Sequence, residues 1–128
     1  PAESVPLHEV EELLSTLLAR LETVRVGPGA PFDTPLRKIR EVQDLLAVAS
    51  RPNWSYVRRK LREIDDDVSA AALQVLSPEE HDQLRGEAAR AIERHRGRVD
   101  EQALEDAMTR FTLQRARERW GLPRVSLV

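Results

Sequence analysis

Nine residues between positions 37 and 62 stand out as a surface that could grip phosphate or stack on bases, with Lys60 a further cation among them. Arg37, Lys38, Arg40, Arg51, Arg58, Arg59 and Arg62 are cations, and Trp54 and Tyr56 are flat rings near the start of the stretch RPNWSYVRRKLREIDDD at 51–67. On a helix starting near Trp54, Arg58 and Arg62 are four apart and therefore neighbours on one face. A guanidinium can hold a phosphate through two parallel hydrogen bonds, and an aromatic ring can stack on an unpaired base. Such a surface would hold a nucleic-acid backbone in place without reading its sequence. The competing reading is a solvated face whose arginines pair with nearby carboxylates, at about 0.2–0.5 kcal/mol each, while Trp54 staples the helix entry. We rank the solvated face first, because 33% of the chain is charged and such faces are routine.

Carboxylates supply the second candidate chemistry. Glu63 and Asp66 form an ExxD pair on one helix face, and Glu9 and Glu12 form an ExxE pair near the start of the chain. Two such pairs on facing helices would present enough oxygen to hold magnesium. Asp65, Asp66 and Asp67 are consecutive, so on a helix they point about 100° apart and cannot converge on one ion. The stretch REIDDDVSAAAL resembles the second acidic motif of the MazG-like nucleotide pyrophosphohydrolases. That resemblance covers about a dozen residues and implies magnesium-dependent cleavage with Glu9, Glu12, Glu63 and Asp66 as ligands. In that family the two pairs lie about one helix-turn-helix apart. Here a whole extra helix and a proline-rich loop separate them. We therefore expect a helix with an acidic wet side, no metal, no cofactor and no catalytic residue.

Other chemistry lacks support. His8, His81 and His95 do not reproduce the spacing that puts two imidazoles on one metal. His81 and His95 fall on or near the seam of the fourth helix, as partly buried histidines. Cysteine is absent, which removes thiolate sites and disulfides together. No serine stands in a nucleophile elbow, and GPG at 27–29 lies in a loop with neither strand nor helix to make it a phosphate cradle.

The elements that must position these groups are helices. Leu7, Val10, Leu14, Leu17, Leu21 and Val24 recur at spacings of three and four, one seam of an amphipathic helix. VGPGAPFDTP at 26–35 breaks it as a linker-like loop. A second helix should begin near Pro35, capped by Thr34 or Asp33, with Leu36, Ile39, Val42, Leu46 and Ala49 inward. A third starts near Trp54, capped by Asn53 or Ser55, with Val57, Leu61, Ile64, Val68, Ala71 and Val75 inward. SPEE at 77–80 is a capping box opening a fourth, whose Leu84, Ala88, Ala91 and Ile92 give a small-residue face. Asp100 caps a fifth, running through Leu104, Met108, Phe111, Leu113 and Ala116 to about Trp120, with Gly121 and Pro123 as stop signals. No stretch alternates as a strand would. The expectation is an all-α bundle of about five helices in a single domain over 1–128.

Charge and hydropathy bound the rest. The formal net charge is −2, so any electrostatic partner must be met by a local patch. Residues 34–62 are basic and the first helix is acidic, a dipolar distribution hidden by the total. No apolar run approaches the roughly 20 residues that span a bilayer, and no secretory signal opens the chain, so a cytoplasmic, non-membrane protein is expected. The chain opens at Pro1 without methionine, as a domain cut from a longer protein would. After Gly121 come Leu122, Pro123, Val125 and Leu127. This apolar tail should fold back over a groove between helices, and failing that reach a protein partner. The functional expectation is a non-catalytic helical interaction or assembly module, with self-association or a protein partner. A nucleic-acid accessory domain is the alternative, and the pyrophosphohydrolase follows it.

Overall fold

The computed structural model describes residues 7–24 and 31–126. Five helices make up most of that: α1 (Leu7–Val24), α2 (Asp33–Val48), α3 (Trp54–Gln74), α4 (Pro78–Glu93) and α5 (Glu101–Trp120). Among the described residues there is no strand, only one isolated bridge between Arg96 and Val99. The protein is an all-α bundle, as the apolar spacing predicts. Of the proline- and glycine-rich loop, 25–30 lie outside the described residues.

The helices pack in the order α1, α2, α3, α5, α4, each against the next. Val10, Leu14, Leu17 and Leu21 of α1 are fully buried, as are Ile39 of α2 and Ile64 and Val68 of α3. These helices hide an apolar stripe against their neighbours, since a half-apolar cylinder has no other way to remove that face from water. Burial contributes about 1.5–3 kcal/mol per large aliphatic side chain. Leu7 is an exception on the first seam, 39% exposed at the open end of α1.

Most helix ends follow their local chemistry. The Asn53 side chain accepts from the Tyr56 N–H at 3.2 Å, and Asp100 accepts from Ala103 at 2.8 Å. Ser77 and Glu80 form the reciprocal capping box, each side chain accepting the other's amide at 3.2 and 3.1 Å. At the end of α5 the Leu122 N–H donates to Arg117 at 3.1 Å and the Gly121 N–H to Glu118 at 3.0 Å. That bond pair needs the left-handed backbone of Gly121, whose φ is +64°. The start of α2 differs from expectation. The helix begins at Asp33, so Asp33 and Thr34 are its first residues rather than caps, and Phe32 occupies the cap position with no side-chain cap. Phe32 is 2% exposed, so its anchoring in the core sets the entry. Pro35 is tolerated because first-turn amides have no helical acceptor.

α5 has no single apolar stripe. At about 100° per residue, Leu104, Ala107, Met108 and Phe111 share one side, whereas Leu113, Ala116, Arg117 and Trp120 lie roughly opposite. The helix accordingly packs against α4 along one side and α3 along the other. Arg119 reaches Glu80 at 2.7 Å, tying the end of α5 to the start of α4, so these two helices run antiparallel.

Candidate functional site

The basic residues of α2 and α3 are largely answered by the chain's own acids. Lys38 Nζ lies 2.7 Å from Asp67 and 3.3 Å from Glu63, and Lys60 is 3.7 Å from Glu63. Arg40 meets Glu22 of α1 at 3.2 Å, and Arg37 meets Glu41 at 3.9 Å. The hydrogen bond to Asp67 raises the Lys38 ammonium above its ordinary value against the cost of burial. The hydrogen bond from Lys38, helped by Lys60, holds the Glu63 carboxyl below the usual range. Tyr56 is 36% exposed, and its ring has the Arg59 guanidinium 5.3 Å and the Lys60 ammonium 5.6 Å from its centre. Trp54 is half-buried against the core, as a staple would be. Arg51, Arg59 and Arg62 are exposed and Arg58 is half-buried. The surface is a mixed-charge lattice.

The four acids proposed from the pyrophosphohydrolase resemblance are not brought together. Glu63 is engaged by two lysines, Glu12 lies 3.2 Å from His8, and Glu9 and Asp66 are exposed. Among the described residues, no three histidine or acidic groups gather as ligands for one metal ion. His81 is half-buried on α4, whereas His95 lies beyond the end of α4 and is exposed, which corrects its expected place on the seam.

Asp65 does not belong to the acidic wet side expected of this helix. This residue is 2% exposed and faces Arg117, also 2% exposed. Arg117 Nη2 donates to Asp65 Oδ1 at 2.6 Å, and Nη1 donates to the Asp65 carbonyl at 2.8 Å and to Ser69 Oγ at 3.1 Å. The remaining guanidinium bonds go to the tail: Nε to Leu122 O at 3.1 Å and Nη2 to Pro123 O at 2.6 Å. Asp65 completes the arrangement by accepting from Val125 at 3.0 Å and from Ser126 at 2.8 Å. Burial pushes the Arg117 guanidinium below its ordinary value, and the Asp65 charge opposes that shift. Every donor of the fork has an acceptor, which is what keeps a buried cation tolerable. The signal was present in the helical phase. Asp65 follows Leu61 by four and precedes Val68 by three, and Arg117 follows Leu113 by four, so opposite charges interrupt two apolar seams.

The tail turns back on the bundle. Leu122 is 5% exposed and Val125 fully buried, both within the core, while Pro123 is half-buried. Leu122 and Val125 therefore have no surface left for a partner while the tail is seated. Leu127 lies outside the described residues.

Along α4 and α5 the packing is less complete. Leu84, Ala88, Ile92 and Leu104 are buried, but Ala107, Met108 and Phe111 are only half-buried. A groove runs here, floored by Leu73 and Met108, with His81 and Arg85 on the α4 side and Glu105, Thr109 and Thr112 on the α5 side. The cause is the split stripe of α5: α3 closes one half, and α4 alone must close the other. No described helix is long and apolar enough to cross a membrane. Compared with protein-family models, curated proteins and solved structures, the chain matches none.

Proposed function

We propose that the protein is a non-catalytic helical interaction module that associates with a second copy through its α4–α5 arm. The observation that carries this reading is the half-open first stripe of α5, where Met108 and Phe111 keep part of their apolar surface in water. Fully burying such side chains is worth about 1.5–3 kcal/mol each, so a second surface has something to gain there. The groove carries opposite charges on its two sides, Arg85 and Glu105. A two-fold pairing of two arms sets each against its complement, as a self-complementary interface requires. Among the described residues, the polar clusters around Lys38 and around Asp65 are spent on internal pairs, which supports a role without chemistry.

Light scattering over a wide concentration range tests this. The expected result is a concentration-dependent dimer that Met108→Glu converts to monomer with helicity unchanged by circular dichroism. A strict monomer at every concentration would remove the proposal, and magnesium-dependent release of pyrophosphate from nucleotides would overturn its non-catalytic part. Phosphate binding by the exposed arginines of α2 and α3 is the competing proposal, and the carboxylates threaded among them weigh against it.

A further inference from the structure

We infer that the slot around Asp65 and Arg117 is a binding site for a non-helical peptide, filled here in cis by residues 122–126, and that the same segment of a second copy can fill it in trans. This inference is independent of the α4–α5 arm. It rests on what the two buried charges hold. Two of the five guanidinium bonds go to main-chain carbonyls of the tail, Leu122 and Pro123. Both carboxylate oxygens accept main-chain amides of the tail, from Val125 and Ser126. Recognition of the backbone is thus built from side chains on α3 and α5, the strategy of domains that capture peptides. Side-chain selection comes from two positions three apart, Leu122 and Val125, which enter the core. Arg124, between them, is exposed, with its Nε 4.0 Å from Asp65.

An empty slot would forfeit the pair's hydrogen bonds to four main-chain groups of the tail and return Leu122 and Val125 to water, which is unfavourable. The tail therefore leaves only when an equivalent segment replaces it. Exchange restores every contact, the condition under which swapped dimers become accessible. Gly121 supplies the pivot, because its left-handed backbone carries no side-chain penalty and the tail departs there. Tethering favours the cis arrangement, since a segment joined by one residue is present at an effective concentration on the order of millimolar or above.

The test uses a fluorescent peptide with the sequence of residues 121–126, GLPRVS, and the full chain. Val125→Asp weakens seating of the chain's own tail, and Leu122→Ser provides a second such variant. By anisotropy, either variant that retains wild-type helicity should bind the peptide at least tenfold more tightly than the wild type does. A peptide with serine in place of both apolar residues should not bind. A folded variant that binds no better than the wild type overturns the inference. Should both variants unfold, the milder Val125→Ala decides: a folded Val125→Ala chain that binds the peptide no better than the wild type overturns the inference.

Discussion

Replacing Arg117 with methionine removes a side chain of similar length and all five of its donated bonds. It leaves the Asp65 carboxylate buried with the Val125 and Ser126 amides and the exposed Arg124 guanidinium, 4.0 Å away, and it orphans the Leu122 and Pro123 carbonyls. Breaking one side of a buried ion pair costs about 3–5 kcal/mol. A second route to the same number starts from the tail. If the segment detaches to rehydrate those groups, the loss is the burial of Leu122 and Val125, together about 3–6 kcal/mol. With an unfolding entropy of about 2.1 cal/mol/K per residue over 128 residues, each kcal/mol moves the midpoint by about 4 °C. Arg117→Met should therefore lower Tm by about 10–20 °C, read by circular dichroism, with exchange protection lost at Val125 and Ser126. The sharper comparison is the double variant Asp65→Leu/Arg117→Met. Isolated buried pairs can often be replaced by apolar residues without loss. Here the pair also serves four main-chain groups of the tail, so the double variant should remain at least ~2 kcal/mol below wild type. A double variant as stable as the wild type would refute the idea that the pair exists to hold the tail.

Two further expectations are simpler. Glu80 is held below its ordinary value of 4.5, chiefly by the Ser77 amide and further by Arg119, so its contribution is present above that pH and lost as pH falls through its lowered folded value. Glu80→Ala should lower Tm at pH 7, and the gap to wild type should close on acidification; a gap that persists at pH 2 would contradict the capping role. For the α2–α3 surface, the pairs made by Lys38, Arg40 and Arg37 leave few cations to displace counterions. Duplex binding should thus be weak, with a log–log salt slope no steeper than about −3, against roughly −0.9 per phosphate contacted; a slope of about −5 or steeper would show that the internal pairs give way to phosphate.

The helices and most of their caps were legible because their determinants are local. Ser77 and Glu80, Asn53, Asp100 and Gly121 each act within a few residues of themselves. Phe32 was not legible as the entry to α2, because its role depends on a core assembled from distant segments. Asp65 looked equivalent to Asp66 and Asp67 in a run of three, yet only its phase lies at the edge of the apolar seam. Its partner is 52 residues away, beyond the reach of periodicity. The half-open side of α5 escaped for a related reason. Apolar spacing shows that a residue seeks cover, and says nothing of whether a neighbour is there to provide it.

Because α5 turns a different side to each of its two neighbours, its rotational phase is locked at both ends. One residue added between Phe111 and Leu113 would swing the second half by about 100° relative to the first, taking Arg117 away from Asp65 while Leu104 stayed on α4. Neither end could adjust without the other losing its place. The middle of this helix should therefore accept exchanges of residue but no change of length, whereas the exposed turn at 94–100 has room to lengthen.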